Sequence, residues 1–413
     1  MQKIENDIVN KIDSYLDYAV ELQTGLTAIP AMGPLNGGEG EYEKAVWLES
    51  ELRKLKFDEV YRVDAPHKEA KNGVRPNVIA KYNGKNTGKT IWIMTHIDVV
   101  PPGEMKLWKT DPFKVHREGN RIYGRGVEDD QQGLVSSILA VKAIMETGER
   151  PPVNIGLLFN ADEENGSVYG AEYLLRNRLD IFGKNDLFIV PDGGVSDGKL
   201  VQISEKGILW LKITTRGKQC HASMPALGIN SFKAASDLVI KLGALYKKFN
   251  AKDKLFFPKT STFEPTKKEA NVPNINTIPG EDVFYFDCRI LPNYKLPELK
   301  AEIRSIAEKV EKKHRVTITF ESVMEAESAP ATDPESEIVR IIIDAVRKVY
   351  KVKGTPQGTG GGSVAAIFRR AGFPAVVYGK IDDTAHMPNE YCILDNLIGD
   401  AKVFALAILN VKH

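Results

Sequence analysis

Ile91-Trp92-Ile93-Met94-Thr95-His96-Ile97-Asp98 is an apolar run that closes on two polar side chains, two residues apart. Side chains alternate along a strand, so His96 and Asp98 share one face at its end. Four more apolar runs finish in the same way. Ile122-Tyr123 leads to Glu128-Asp129-Asp130, and 155–159 leads to Asp162-Glu163-Glu164. Residues 187–190 lead to Asp192, and 376–378 lead to Asp382, Asp383 and His386. In an open α/β sheet, ligands bind just beyond the carboxyl ends of the strands. Five strand ends loaded with metal-ligand types therefore predict one shared site. So many acids cannot share a cleft without cations to neutralise them.

Working outward, apolar spacing predicts helices over 4–24, through Ala45, Leu48, Leu52 and Leu55, and over 133–147. Residues 78–82 and 90–94 read as adjacent strands joined by an Asn-Gly-Lys-Asn turn. Strand–helix alternation then runs to Asp192. That pattern predicts an α/β fold: a mostly parallel sheet with helices on both faces. The pattern changes after Glu205. Strands at 208–215, 283–291 and 316–320 alternate with helices at 231–247 and 296–313, with room for a strand at 274–278. This is the order of a small ferredoxin-like α+β unit. The expected organisation is a discontinuous catalytic domain, 1–206 and 324–413, carrying an inserted domain at 207–323.

Composition excludes several classes. The 413 residues carry a formal net charge of +1, with acids and bases interspersed. No basic stripe predicts nucleic-acid binding. No apolar run approaches the ~20 residues of a membrane span, and the N-terminal residues lack the apolar core of a signal peptide. Cys220, Cys288 and Cys392 are widely spaced and include no CxxC pair, which argues against a disulfide framework or a thiolate metal site. A cytoplasmic protein is expected.

Each motif alone also has an ordinary reading. His96 and Asp98 suit a polar strand end. Asp129 and its neighbours suit a helix cap, and Glu163-Glu164 suit helix N-terminal charge. Asp192 before Gly193-Gly194 suits an Asx turn. His221 and His386 suit loop histidines, and Arg289 a surface ion pair. Adjacent glutamates, however, let one ligate a cation while the other takes a proton from water. The functional reading rests on co-occurrence along one chain.

The motifs Thr95-His96-Ile97-Asp98-Val99-Val100-Pro101, Tyr123-Gly124-Arg125-Gly126-Val127-Glu128-Asp129, Asn160-Ala161-Asp162-Glu163-Glu164-Asn165-Gly166-Ser167 and Ala385-His386-Met387-Pro388-Asn389-Glu390 resemble those of a known family. It is the co-catalytic zinc hydrolases, which include acetylornithine deacetylase, succinyl-diaminopimelate desuccinylase, aminoacylase, carnosine dipeptidase and the glutamate-releasing carboxypeptidase. The resemblance covers nearly the whole chain.

It implies two zinc ions per chain, with cobalt or manganese as substitutes. His96 and Asp192 would hold one, Glu164 and His386 the other, and Asp129 would bridge them. Asp98 would orient His96. Glu163 would be general base and then acid toward a metal-bridged water. The insert resembles a dimerisation lid, which implies a homodimer and an oxyanion contact from His221. Asn276, Arg289 and the glycine loop with Gly361, Gly362 and Ser363 fall where the family contacts substrate; Val364 departs from the acid often found there. Aspartate rather than glutamate at 192 tilts the expectation toward short peptides. The expected substrate is thus a dipeptide or N-acyl amino acid bearing a carboxylate. N-succinyl-diaminopimelate or N-acetylornithine is the alternative within the class. A catalytically silent binding protein is the alternative outside it.

Overall fold

The computed structural model describes residues 2–412. By its internal contacts the chain divides into two units. The first comprises Met1–Ile203, Thr332–Gln357 and Ser363–His413; the second comprises Ser204–Ala331 and Gly358–Gly362.

The first unit is built on an eight-stranded mixed sheet. Its order is Glu59–Pro66, Val74–Tyr82, Val153–Asn160, Asn86–His96, Leu187–Val190, Ala375–Val377, Leu200–Glu205 and Thr355–Thr359. The four middle strands, from Val153–Asn160 to Ala375–Val377, run parallel. Trp92, Met94, Leu158, Phe188 and Val190 pack with Ala171, Leu174 and Phe368 from helices Ala171–Asn177 and Val364–Arg370. The alternate residues Ile91, Ile93, Leu157 and Ile189 are equally buried; helix Gln131–Met145 packs on Asn86–His96 and Val153–Asn160, and helix Glu337–Tyr350 on Leu187–Val190. A strand covered on both faces must be apolar at every position, which is why these segments read as unbroken runs.

Because the four middle strands are parallel, their carboxyl ends lie along one edge. His96, the Asp162–Glu164 segment, Asp192 and His386 follow those ends in turn. The fifth apolar run does not join this sheet. Arg121–Tyr123 sits between Tyr391–Ile393 and His116–Glu118 in a separate antiparallel ribbon, so Asp129 reaches the site from a loop outside the sheet. The expected hairpin of 78–82 with 90–94 is also replaced. Val153–Asn160 lies between those two segments, antiparallel to one and parallel to the other. The helix expected over 4–24 is two, Gln2–Asp13 and Leu16–Thr27.

The second unit has the order strand, helix, strand, strand, helix, strand: Gly207–Arg216, Ser231–Leu242, Thr262–Lys268, Glu281–Ile290, Leu296–His314 and Thr317–Ala326. Its first and third strands are central and all neighbours are antiparallel, the ferredoxin-like arrangement. The strand beyond the three expected from the sequence is the second in chain order, Thr262–Lys268. The segment expected to supply it makes only a two-residue pairing, Thr277–Ile278 with Cys220–His221. Leu238, Leu242, Leu299, Ile303 and Val310 on the helices pack on Leu209, Leu211, Phe284 and Phe286.

Candidate metal centre

His96, Asp98, Asp129, Glu163, Glu164, Asp192 and His386 come together in the first unit. His96 is buried. Its Nδ1 lies 3.0 Å from the Asp98 carbonyl oxygen. A proton donated there leaves the Nε2 lone pair available, the usual arrangement of a metal-binding histidine. Nε2 lies 2.9 Å from Asp129 Oδ1 and 4.0 Å from Asp192 Oδ1. The other Asp129 oxygen, Oδ2, lies 3.1 Å from His386 Nε2, which is also 3.1 Å from Glu164 Oε2. The Asp129 carboxylate therefore stands between the two histidines.

The Asp98 carboxylate has a second task. Its Oδ1 accepts the Glu163 amide at 3.0 Å and its Oδ2 the Glu164 amide at 3.1 Å, while Oδ1 is 3.5 Å from His96 Nδ1. One side chain thus braces the histidine and the glutamate pair. The turn into that pair has Asp162 at φ +66°, a region non-glycine residues rarely occupy. Asp162 is held there from several sides. Its carboxylate accepts the Tyr169 amide at 3.0 Å and pairs with Arg75 Nη1 at 3.1 Å, and its own amide donates to Glu41 Oε1 at 3.2 Å. Glu41 in turn is ion-paired with Arg75, both fully buried.

Charge makes this cluster unstable without a counter-ion. Burial, with Asp192 beside it, raises the Glu163 carboxyl well above the ordinary range. Burial pushes Asp192 up to about 7, with Asp129, Glu164 and Asp98 adding to the shift and His96 opposing it. Burial also raises Glu164. On His96, burial opposes the charged form, but hydrogen bonds to Asp129 and Asp98 outweigh it and raise the ring. Hydrogen bonds to Asp129 and Glu164 lift His386 to about 10. Burial alone would raise Asp129; its two histidine partners bring it below the usual range. In the metal-free chain, protons do the neutralising that cations do better.

The donor set fits divalent metal. Ligand atoms of His96, Glu163 and Asp192 lie within 4.8 Å of one another, as do those of His96, Asp129 and Glu164. Nitrogen and carboxylate donors suit zinc, with cobalt or manganese as substitutes. Glu163 also brings an oxygen into the His96–Asp192 group, so spacing alone does not separate its task from that of a ligand.

The comparisons with known proteins agree with this chemistry. The sequence model of peptidase family M20/M25/M40 matches residues 92–410. The chain belongs to peptidase family M20/M25/M40. An uncharacterized metallohydrolase of Methanococcus maripaludis is 40% identical over 416 residues, covering 95% of this chain and 98% of that protein. A succinyl-diaminopimelate desuccinylase of Pelagibacter ubique is 28% identical over 337 residues, covering 79% of this chain and 83% of its own. Among solved structures, human carnosine dipeptidase 1 has the same fold, with a TM-score of 0.76, 18% identity and 98% coverage of both chains. This M20 chain is a metal-binding hydrolase that acts on amide bonds. Among the described residues no helix is long and apolar enough to cross a membrane.

The other candidates of the M20 chain lie in the second unit, except Ser363, which begins the last segment of the first. His221 is exposed. Its Nδ1 accepts the Ser223 amide at 3.2 Å and lies 2.7 Å from Ser223 Oγ, so the neutral ring carries its proton on Nε2. Asn276 Oδ1 accepts Asn274 Nδ2 at 2.7 Å, and its carbonyl accepts the Ala222 amide at 2.8 Å. Arg289 is already engaged. Its Nε and Nη2 pair with Asp287 at 2.9 and 3.1 Å, and Nη1 donates to the Gly360 carbonyl at 2.8 Å. A Cβ built on Gly361 would meet nothing within 4 Å, and one on Gly362 only Ile208. Ser363 precedes a helix of only seven residues, Val364–Arg370.

Sequence reasoning missed Glu41 and Arg75, which shape the Asp162 turn. It quoted Arg125, Glu128 and Glu390 inside motifs without giving them a task. It also missed Lys44. This lysine is 2% exposed and pushed down to about 8 by burial, against the pull of Asp98, Glu41 and Glu390. The available signal was charge on the buried side of helix Tyr42–Arg53.

Proposed function

We propose that this chain hydrolyses the amide bond of a small carboxylate-bearing substrate, a dipeptide or an N-acyl amino acid, with Glu163 as general base and then acid. The observation that carries the proposal is the glutamate pair hung on the two oxygens of Asp98. Glu164 meets His386, while Glu163, half-buried and beside Asp192, has a raised proton affinity. A carboxylate of that kind takes a proton from the attacking water and returns it to the leaving nitrogen. His96 and Asp192 would hold one cation, Glu164 and His386 a second, and Asp129 would serve both. When bound, such cations polarise the scissile carbonyl and lower the pKa of water. His221, with its proton on Nε2, is proposed as a donor to the developing oxyanion. Asn276, Arg289, Gly361, Gly362 and Ser363 are proposed as substrate contacts, and the second unit as the surface of a homodimer.

Aspartate at 192 and the resemblance of fold to a carnosine dipeptidase support the dipeptide reading. Deacylation of an N-succinyl or N-acetyl amino acid is supported by the desuccinylase relative. A panel of dipeptides, acetyl-amino acids and succinyl-diaminopimelate, run with zinc, cobalt and manganese, decides between them. Turnover confined to the acyl substrates would overturn the dipeptide reading. No turnover of any amide with any metal would overturn both.

A further inference from the structure

Two carboxylates in the ligand loops each serve the loop they do not belong to. Glu390 lies four residues after His386, yet it holds the Asp129 loop. Its Oε1 accepts the amides of Glu128 and Asp129 at 3.0 and 3.1 Å. Its Oε2 accepts the Gly126 amide at 3.0 Å and pairs with Arg125 Nη1 at 2.5 Å. Glu128 immediately precedes Asp129, yet it holds the His386 loop. Its Oε1 accepts the Asp382 amide at 2.9 Å. Its Oε2 accepts both the amide of Thr384 and its hydroxyl, the latter at 2.7 Å. Glu390 is 0% exposed and Glu128 4%.

We propose that Glu128 and Glu390 are a crossed pair of positioning residues, each loop supplying the carboxylate that shapes the other, so that Asp129 and His386 are presented as one preassembled half of the metal centre. His386 needs such support. Its side chain is 57% exposed and its backbone has φ +63°, a conformation disfavoured for a residue with a Cβ. Burying two carboxylates is costly unless every oxygen is satisfied. Here every satisfying donor comes from the opposite loop (its backbone amides, with the Arg125 guanidinium for Glu390 and the Thr384 hydroxyl for Glu128), so neither loop can shift without stranding a buried carboxylate. The inference rests on Asp129 and His386 being metal ligands.

The test uses the purified full chain, stripped with a chelator and titrated with cobalt(II). Binding is followed by visible absorption and by competition with a chromophoric chelator. Glu128→Gln keeps the shape but turns one acceptor oxygen into a donor facing amide protons. It should weaken the cation held with His386 by about 10–100-fold, the usual cost of losing a partner one step out from the metal. The cation held with Asp192 should be unaffected. Glu390→Gln acts on Asp129 and should weaken both. In Glu128→Gln, support of folding alone would lower both affinities together, in step with the melting temperature of the stripped protein, and that pattern overturns the proposal. In a His386→Ala background, Glu128→Gln should cost nothing further; an additive loss also overturns it. Should Glu128→Gln fail to fold, Glu128→Asp, which shortens the reach, carries the same comparison. Wild-type protein that binds no cobalt would sink the metal-centre reading itself. Two-cation binding matched by Glu128→Gln would sink only the crossed pair.

Discussion

The candidate residues of the two units are held in place by different means. In the first unit the bracing contacts span the sequence. Glu390 reaches the Asp129 amide across 261 positions, Glu128 reaches Thr384 across 256, and Asp98 reaches Glu163 across 65. In the second unit His221 leans on Ser223, Asn276 on Asn274 and Arg289 on Asp287, each two positions away. Longer ties exist too, from Arg289 to Gly360 and the Trp210 ring and from the Ala222 amide to the Asn276 carbonyl, but the polar side-chain partners are mostly local. A residue fixed by the whole fold answers to distant mutations. A residue fixed by its neighbour can be removed with little else disturbed. The first arrangement suits ligands that must meet within a fraction of an ångström, the second suits groups that touch a substrate.

The sharpest way to break this contrast is inside the glutamate pair. Glu163→Gln should cut turnover by ~10²–10⁴, the worth of a positioned general base, while metal content stays near that of wild type. Glu164→Ala should lose metal first. Elemental analysis of both variants beside their turnover numbers checks this, and equal metal loss would erase the division of tasks.

A smaller effect is expected from the locally held side chain. His221→Ala should lower turnover by ~10²–10³, typical of one oxyanion donor. Metal content and melting temperature should not move. Co-expressing His221→Ala with Glu163→Ala should recover part of the activity if the donor comes from a second copy. No recovery from verified mixed dimers would confine His221 to its own chain or remove it from catalysis.

The smallest expected effect is on stability. Burial holds Asp192 near 7 in the folded chain against an ordinary value of 3.8. The folded state therefore binds this proton more tightly than the unfolded one, and the stability it contributes is lost as pH rises through that window. His386, lifted to about 10 from 6.5, contributes stability below its ordinary value that is lost as pH rises through its folded one. Asp129 works in the opposite sense, but only below the ordinary carboxylate range. Melting temperatures of chelator-stripped protein should fall from pH 4 toward about pH 7, and added zinc should flatten the curve. A stripped protein that gained stability over that range would contradict the charge balance described above.

The parallel centre of the main sheet was legible because doubly covered strands leave unbroken apolar runs, as at Ile91 to Met94. Its neighbours were not. The Asn-Gly turn after Tyr82 advertises a hairpin, yet Val153–Asn160 takes the place between the two segments, and no local signal records a partner so far along the chain. The ribbon strand Arg121–Tyr123 is three residues long, too short for periodicity to separate it from the sheet. His96, Asp129, Glu164 and His386, which the structure brings together, could be put forward as candidates because ligand chemistry restricts residue type. Glu41 and Arg75 could not, since a carboxylate that braces a turn looks in sequence like any surface acid. Only their burial distinguishes them.

His386 and Glu390 belong to the last loop of the candidate centre, after the strand Ala375–Val377. Translation delivers the residues of the centre in a fixed order, and these two come late. A nascent polypeptide that has emerged only as far as Asp192 carries Asp98, Asp129, Glu163 and Glu164 with a single histidine among them and nothing to clasp the Asp129 loop. On the proposed assignment, the second cation waits for this last loop. A product that ends before Ala375 would lack both the second histidine of the candidate centre and the carboxylate that holds the Asp129 loop.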